Sequence, residues 1–329
     1  ADALRRRPGT RTENRRGDVV NTRALLGWRP ATVQGRAALL MLGSTSAFAL
    51  MAIAIRFASA TIPTTEVAFF RNFFGLLALL PILLRSGGGG VPRTRNLGRY
   101  VVRTLVGLGS MLCAFWAIGH LPLSQAISLS YAAPLFATIA AVLWLGEVVR
   151  IRRWMAVSAG FVGVLVILRP GVAFSAAMLV PVIGALLAAV VAIQMKQLSK
   201  LDPPDTIVFY TYLLWVPLSL IPALFQWVWP SPGVWLWLIA TGVLGTLGQW
   251  LWTRALRLGE VSALQPISFV QLPIVVVFGW WLFGEVIDAW TLIGAAIVFG
   301  ANGYIAHREA VLSRRAATQR PAQAAKPSE

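Results

Sequence analysis

Residues 121–147 read LPLSQAISLSYAAPLFATIAAVLWLGE, and residues 259–285 read GEVSALQPISFVQLPIVVVFGWWLFGE. The two stretches align without a gap at an offset of 138 residues, and each ends in Gly-Glu after a long apolar run. Other related residues at matched positions are Ser124 with Ser262, Ser130 with Ser268, and Tyr131 with Phe269. Repetition at one fixed offset indicates a duplicated structural unit. The chain is therefore predicted to consist of two related halves.

The composition is that of a protein dissolved in a lipid bilayer. Of the 329 residues, 57% are hydrophobic and 12% are charged, whereas soluble domains carry about 25% charged residues. The formal net charge is +17, but the basic residues fall in tails and short loops between apolar runs, so nucleic acid is not an expected partner. The single cysteine, Cys113, lies within an apolar run, which excludes an internal disulfide and a cysteine-rich metal site.

Ten apolar segments approach or reach the length of a membrane-spanning helix, which needs roughly 20 residues to cross the hydrocarbon core. Proline and glycine in the short connections favour turns between these segments. The predicted fold class is an all-α membrane protein with ten transmembrane helices. The predicted spans are 37–59, 65–84, 100–119, 124–145, 154–168, 174–194, 206–228, 234–255, 262–283 and 289–306.

Positive charge indicates the orientation of the spans, because loops rich in Lys and Arg stay in the cytoplasm. With ten spans, one side of the membrane receives both termini and the basic loops, while the opposite side receives only Arg169. The loop after Glu147 carries three arginines, whereas the matched loop after Glu285 carries Asp288 and no base. Each half has an odd number of spans, so matched loops lie on opposite sides. We predict two inverted-topology five-helix repeats in the inner (plasma) membrane, with both termini cytoplasmic.

Several motifs are shared with a known family. They are LPLSQA at 121–126, APLF at 133–136, LGE at 145–147, GFVGVL at 160–165, the bases Arg56 and Lys196 late in the first helix of each half, and Arg71. On these residues, the region 36–307 resembles two tandem EamA domains of the drug/metabolite transporter superfamily. The resemblance implies secondary transport, with one EamA-like repeat over 36–171 and a second over 172–307. The polar, basic segments 1–35 and 308–329 are predicted to be disordered tails.

An arginine inside the second span is the first candidate for substrate contact. A charged side chain in a membrane-spanning helix costs about 2.5 to 3.5 kcal/mol, so it normally faces protein, water or a ligand. Arg71 follows Glu66 and precedes Asn72, and two roles stay open: pairing within the protein and contact with an anionic group. Arg56 and Arg103 lie nearer helix ends, where extension of the side chain to the interface favours a structural role.

Polar stripes on the fourth and ninth spans supply further candidates, because their residues recur at three- or four-residue spacing on one helix face. Amide and aromatic side chains of the third and eighth spans extend this surface. Helix packing is the alternative role for the serines, since small polar residues are common at helix contacts in membranes. A neutral, partly aromatic pocket suits amino acids or other small amphipathic metabolites. The predicted cavity residues are Tyr131, Ser128, Gln265, Ser268, Gln271, Gln249, Trp116 and Arg71.

The function predicted from the sequence is secondary transport of amino acids or related small-molecule metabolites by alternating access between the repeats. Export is expected from the family resemblance alone. The alternatives are another metabolite or drug, such as S-adenosylmethionine or a cationic compound, and an intramembrane enzyme. An enzyme is not expected, because the spans lack metal-ligand spacing, a nucleophile motif and a phosphate-binding loop; no cofactor or metal is predicted. Glu147 and Glu285 fall at helix ends, where turn closure is expected, or, for Glu147, pairing with the neighbouring bases. The sequence leaves the oligomeric state open.

Overall fold

The structure is a computed structural model that describes residues 33–85, 94–146, 151–169, 175–198, 201–202, 204–258, 264, 267–286 and 288–324. All regular structure in these residues is helical. The α-helices of this part of the chain are α1 (Val33–Ala58), α2 (Thr64–Arg85), α3 (Leu97–His120), α4 (Leu123–Ser130), α5 (Ala133–Leu145), α6 (Ile151–Leu168), α7 (Leu179–Leu198), α8 (Pro204–Leu224), α9 (Pro232–Leu258), α10 (Gln271–Phe283) and α11 (Ala289–Ala324). A 3₁₀ turn, Ala176–Met178, leads into α7.

Most of these helices have the length and composition of membrane spans. Six helical segments of the described chain are long and apolar enough to cross a bilayer, and three further apolar helices are shorter. Helices α4 and α5 together form one of the six, Leu123–Trp144. The prediction of an all-α, multi-pass membrane protein is therefore confirmed, while the ten-span count and the inverted topology stay predictions.

Parts of the predicted organisation fall outside the described residues. They include residues 1–32 of the N-terminal tail, the loop that contains Glu147, and the junction of the halves at 170–174. At the other end, α11 continues to Ala324, although a disordered tail was expected from residue 308. Alanine, arginine and glutamine have high helix propensity, so composition alone does not separate such a tail from the continuation of a helix.

One helical segment in each half is interrupted, and the two interruptions fall at matched positions. Residues 131–132 separate α4 from α5, and residues 269–270 precede α10. Both turns are closed by tight i to i−3 hydrogen bonds between backbone groups. A proline follows each turn, Pro134 and Pro273, and proline has no N–H to continue the α-helical ladder. The duplicated sequence thus produces one broken helix in each half.

The repeated Gly-Glu pair ends a helix in each half. Gly146 follows α5, Gly284 follows α10, and both residues have a φ of 63°. This left-handed conformation is strained for residues with a Cβ atom and is a common way to end a helix. The N–H of Glu285 then donates to the carbonyl oxygen of Gly279 at 3.1 Å and closes the turn. The backbone geometry of the helix end therefore accounts for the glycine in this motif.

Glycine also permits the closest approach between α6 and α11. A Cβ atom on Gly294 would lie 2.6 Å from the carbonyl oxygen of Gly163, and one on Gly163 would lie 2.7 Å from the carbonyl oxygen of Gly294. Small residues at such crossings let membrane helices pack backbone against backbone. Val164, Ile167 and Val298 are buried beside this crossing. The last helix of each predicted half therefore packs closely against the other.

Substitution of Gly294 by Ala is expected to lower the thermal midpoint of the detergent-purified protein, because the methyl group would collide with the backbone of α6. Overpacking of this kind costs about 1 to 3 kcal/mol. Gly300→Ala on the same helix is the matched control, since a Cβ atom there meets nothing within 4 Å. The thermal midpoint of each variant is measured from the recovery of monodisperse protein after heating. Equal midpoints would contradict the close crossing.

Candidate functional site

A cavity of about 270 Å³ lies between α1, α2, α3, α7 and α8. Its walls are mostly apolar and include Met51, Met111 and Phe115. The charged residue that lines it is Arg71, and the aromatic residue with a polar N–H is Trp215. A mostly apolar chamber with a few convergent polar groups is the usual form of a small-molecule site. We refer to it as the Arg71 cavity.

Arg71 is buried, with 8% of its surface exposed, and has no carboxylate within ion-pair distance among the described residues. Its Nη1 donates to Oδ1 of Asn72 at 3.0 Å. The amide of Asn72 in turn donates to Oγ of Ser219 at 3.2 Å, which ties α2 to α8. A buried cation without a counter-charge is unfavourable unless other groups stabilise it. In the described chain, the side chain of Asn72 and neighbouring aromatic rings surround this charge.

Two aromatic rings of α8 flank the guanidinium. The guanidinium carbon lies 5.8 Å from the ring centre of Tyr212 and 5.5 Å from that of Trp215, within the range of cation–π attraction. A Cβ atom on Gly245 would lie 3.1 Å from Nε of Arg71, so glycine leaves room for this side chain beside α9. The arginine is thus held between the rings and the backbone of α9.

The indole of Trp215 offers a second unused donor. Its Nε1–H is buried and has no hydrogen-bond partner among the described residues. Gly107 of α3 faces the indole, since a Cβ atom there would lie 3.5 Å from the ring. Ser110 also lines the cavity, but its hydroxyl already donates to the carbonyl oxygen of Gly184 at 2.8 Å. The cavity wall therefore combines a cation with an indole whose N–H is buried and unpaired in the described chain.

Three other predicted cavity residues meet at the two helix interruptions. The hydroxyl of Tyr131 donates to the carbonyl oxygen of Ser268 at 2.7 Å and lies 3.4 Å from Oε1 of Gln271. Nδ2 of Asn302 donates to the carbonyl oxygen of Tyr131 at 2.8 Å. The tyrosine ring packs edge-on against Phe269, with ring centres 5.4 Å apart. These contacts join the broken helices of the two halves and supply hydrogen bonds to backbone freed by the turns.

The remaining predicted residues do not line the Arg71 cavity. Ser128 is fully buried, and its hydroxyl has no partner among the described residues. Trp116 stacks on His120 near the end of α3, with ring centres 4.5 Å apart. Gln249 is half-buried on α9, and Gln265 lies outside the described residues. Sequence reasoning missed Trp215, although a tryptophan near the middle of a span, away from the interfaces where it usually lies, was an available signal.

A set of cross-half contacts closes the ends of α1, α3 and α10. Arg56 forms an ion pair with Glu285 at 3.5 Å, and its Nη1 donates to the carbonyl oxygens of Ile118 and Leu121 at 2.9 and 3.1 Å. Oε2 of Glu285 accepts the N–H of Leu123 at 2.8 Å. Glu285 therefore pairs with a base in the other half, although pairing with a base was expected for Glu147 and only turn closure for Glu285. We call Arg56, Glu285 and their backbone partners the polar latch.

Two further contacts link the predicted halves. Arg169 at the end of α6 pairs with Asp288 before α11. Asp288 also accepts the N–H of Thr291 at 3.0 Å and so caps the start of α11. Oε2 of Glu66, in the first turn of α2, accepts the N–H of Val228 at 3.1 Å. These contacts support the polar latch in holding the halves together.

The fold is all-helical in the described chain, and a buried cation lines a mostly apolar cavity between its helices. The chain matches the EamA-like transporter family twice, over residues 35–169 and 175–305. It belongs to this family, in the drug/metabolite transporter superfamily, as the motifs indicated.

Relatives with assigned substrates carry different small metabolites. The riboflavin transporter of Vibrio cholerae serotype O1 is 36% identical over 283 residues, which cover 84% of this chain and 95% of the relative. The pseudopaline exporter CntI of Pseudomonas aeruginosa is 31% identical, over 79% of this chain and 92% of the relative. The S-adenosylmethionine uptake transporter of Rickettsia bellii is 28% identical, over 82% and 92%. Small-metabolite transport is therefore the common activity, while substrate and direction vary.

Replacement of Tyr131 by Phe is expected to lower the thermal midpoint of the purified protein, since it removes the hydrogen bond to the carbonyl oxygen of Ser268. The loss of such a bond costs about 0.5 to 1.5 kcal/mol. Tyr304→Phe on α11 is the control, because Tyr304 is 42% exposed. The two midpoints are measured in the same detergent. A Tyr131→Phe protein as stable as the control would show that this contact does not hold the broken helices together.

Proposed function

We propose that the chain is a secondary transporter of riboflavin, or of a closely similar planar heteroaromatic metabolite, which binds in the Arg71 cavity. The observation that carries the proposal is the buried guanidinium of Arg71, which lies beside two aromatic rings and has no carboxylate partner among the described residues. Similarity to the riboflavin transporter of Vibrio cholerae supports the same substrate.

The chemistry of riboflavin complements this cavity. Its ring system is flat, aromatic and uncharged, with two carbonyl oxygens and ring nitrogens that accept hydrogen bonds. Arg71 would donate to a carbonyl edge, and the indole of Trp215 would stack on the ring system. The cavity measures about 270 Å³, slightly below the usual range of about 300 to 1,000 Å³ for ligand pockets. It suits the ring system, and the ribityl chain would need further space that opening of the cavity provides.

Charge favours this substrate over the alternatives. S-adenosylmethionine has a carboxylate that suits Arg71, but it also carries a sulfonium and an ammonium group, which a buried arginine would repel. Amino acids and pseudopaline have carboxylates that suit Arg71, so amino acid transport, expected from the sequence, is the second candidate. However, the ammonium group of an amino acid would find no acidic residue among those that line the Arg71 cavity. The flavin ring is neutral and rich in hydrogen-bond acceptors, so it is not repelled by Arg71 and needs no acidic partner in the cavity.

The proposed mechanism is alternating access between two inverted halves of five spans. In this scheme α4 with α5 forms the fourth span, and the helical residues before the turn at 269–270 form the ninth with α10. The helix contacts support this scheme, because equivalent helices of the two halves have equivalent neighbours. Helix α1 packs on α9, and the equivalent pair is α7 on α3. Helix α10 packs on α1, and the equivalent pair is α5 on α7. Helices α2 with α8, and α6 with α11, pair across the same pseudo-twofold relation. Matched neighbours of this kind are expected of duplicated repeats.

The polar latch would close one side of the cavity in this scheme. If loops rich in Lys and Arg face the cytoplasm, as the positive-inside rule predicts, the latch would lie on the outer face of the inner membrane and both termini in the cytoplasm. Rupture of the ion pair between Arg56 and Glu285 would then accompany outward opening. Export, expected from the resemblance alone, is the proposed direction, and an assay with substrate on either side of the membrane tests it.

Counterflow of labelled riboflavin into proteoliposomes tests the substrate and the site together. Riboflavin counterflow above that of empty vesicles is expected, and Arg71→Gln should reduce it about 10- to 100-fold, as expected for a lost hydrogen bond of about 1.5 to 3 kcal/mol from a charged donor. Arg36→Gln, which makes the same charge change at an exposed position, should have little effect.

The outcomes separate the two candidates. Counterflow of amino acids without riboflavin would reject riboflavin and favour the prediction from the sequence. Riboflavin counterflow that is unchanged in Arg71→Gln would place the binding site elsewhere. Unequal rates with substrate inside and outside would reveal the preferred direction.

Cysteine labelling tests the latch. In a Cys113→Ser background, Ala114→Cys places a thiol in the cavity wall, and an impermeant maleimide is added from the face that carries Arg56 and Glu285. Glu285→Gln removes the charge of the ion pair and is expected to raise the labelling rate several-fold. Asp202→Asn is the control, because Asp202 contacts the start of α3. This variant should not change the labelling rate. Identical rates in the parent and Glu285→Gln would argue against the latch.

A further inference from the structure

We propose that a second cavity, between the first turns of α3 and the last turns of α7, binds a phosphate-class anion that also carries a hydroxyl group. This cavity has a volume of about 390 Å³ and is lined by Arg99, Arg103, Gln194 and Gln197 among others. Along α3, Arg103 lies one turn, about 6 Å, from Gly107 of the Arg71 cavity. The site is separate from the proposed substrate site and has its own charged groups.

Arg103 supplies the principal cation of this site. It is 9% exposed, and its Nη1 donates to Oγ1 of Thr211 at 2.5 Å. The threonine hydroxyl donates onward to the carbonyl oxygen of Ile207, so Thr211 holds the guanidinium in place without neutralising it. The Nε–H of Arg103 is buried without a partner among the described residues, where no carboxylate lies within ion-pair distance. The Nε edge of a guanidinium is the one that binds oxyanions with two parallel N–H groups.

Gln194 identifies the second group on the ligand. Its Oε1 is buried and receives no hydrogen bond among the described residues. A ligand hydroxyl would donate to this oxygen, while the oxyanion of the same ligand accepts from Arg103. Arg99 is exposed at the mouth of the cavity and adds a second positive charge. A simple carboxylate satisfies Arg103 and leaves Gln194 unpaired, whereas dihydrogen phosphate or a phosphodiester with a hydroxylated head group satisfies both.

Asp202 is the acidic residue of the described chain near this end of α3, and its carboxylate already accepts hydrogen bonds from the protein. Asp202 accepts hydrogen bonds from Thr94 at 2.8 Å, Tyr100 at 2.9 Å and Asn96 at 3.4 Å. These bonds, that from Thr94 foremost, lower the pKa of Asp202 and keep it ionised. The carboxylate therefore ties its loop to α3 and leaves the Nε–H of Arg103 to an outside anion.

Two sources supply this chemistry: free inorganic phosphate and the head group of phosphatidylglycerol. The first arm of the test measures the thermal midpoint of the detergent-purified protein against phosphate concentration, with chloride as the matched salt at equal ionic strength. The second arm compares nanodiscs of phosphatidylglycerol with nanodiscs of phosphatidylcholine. A ligand that binds the folded state raises the midpoint in a concentration-dependent manner.

The variants locate the effect. Arg103→Gln and Gln194→Leu should each weaken the stabilisation at least tenfold in apparent affinity, and Gln194→Leu does so without disturbing the contact between Arg103 and Thr211. Arg95→Gln is the control, since Arg95 is exposed at the same end of α3 and does not line the cavity.

Each outcome decides the proposal. Stabilisation by phosphate alone assigns a soluble anion, stabilisation by phosphatidylglycerol alone assigns a lipid head group, and stabilisation by both assigns a site open to either. Absence of stabilisation in both arms overturns the proposal, as does stabilisation that is equal in the parent, Gln194→Leu and Arg95→Gln. Riboflavin takes no part in these measurements, so their result is independent of the proposed transport substrate.

Discussion

A guanidinium inside a membrane-spanning bundle needs groups that replace water, and the arrangement around Arg71 follows from that need. The side chain of Asn72 accepts one of its hydrogen bonds and is itself held by Ser219 of α8. Gly245 of α9 has no side chain and so leaves room for Nε of Arg71, and the ring of Trp215 lies close to the guanidinium. The packing of α2, α8 and α9 is thus organised about one charge that no carboxylate in the described chain neutralises, and a ligand in the cavity would complete its surroundings.

The same rule governs the interrupted helices. Each turn releases backbone groups that a bilayer cannot hydrate, so the protein must bind them internally. The hydroxyl of Tyr131 reaches the carbonyl oxygen of Ser268 in the other half, and Asn302 returns a donor to the carbonyl oxygen of Tyr131. The carbonyl oxygens freed at each interruption therefore accept hydrogen bonds from side chains of the other half. This dependence gives the two halves a shared centre about which the proposed rocking motion can occur.

The sequence predicted those features that depend on local pattern. The offset of 138 residues aligned Tyr131 with Phe269, and both residues lie at the matched helix interruptions. The repeated Gly-Glu pair proved to be a helix end, and Arg71 was singled out because a charge within a span is costly. All three inferences needed only periodicity, charge and residue type.

Features that depend on distant neighbours were beyond such reasoning. Trp215 reaches the cavity only because α8 packs against α2 and α3, and nothing in its local sequence specifies those partners. Arg56 was expected to extend to the interface, but it pairs with a glutamate more than two hundred residues away in the chain. The groups that line the Arg71 cavity therefore depend on helix packing, which a single sequence without homologues does not specify.

Fluorescence titration of riboflavin with the purified protein shows whether riboflavin binds beside Trp215 in the Arg71 cavity, because an indole stacked on the flavin ring quenches its emission. Saturable quenching is expected with the wild-type protein and with Trp144→Leu, whose tryptophan is 63% exposed, and it should be largely lost in Trp215→Leu. Quenching of equal depth and affinity in all three proteins would contradict the assignment of the Arg71 cavity as the substrate site.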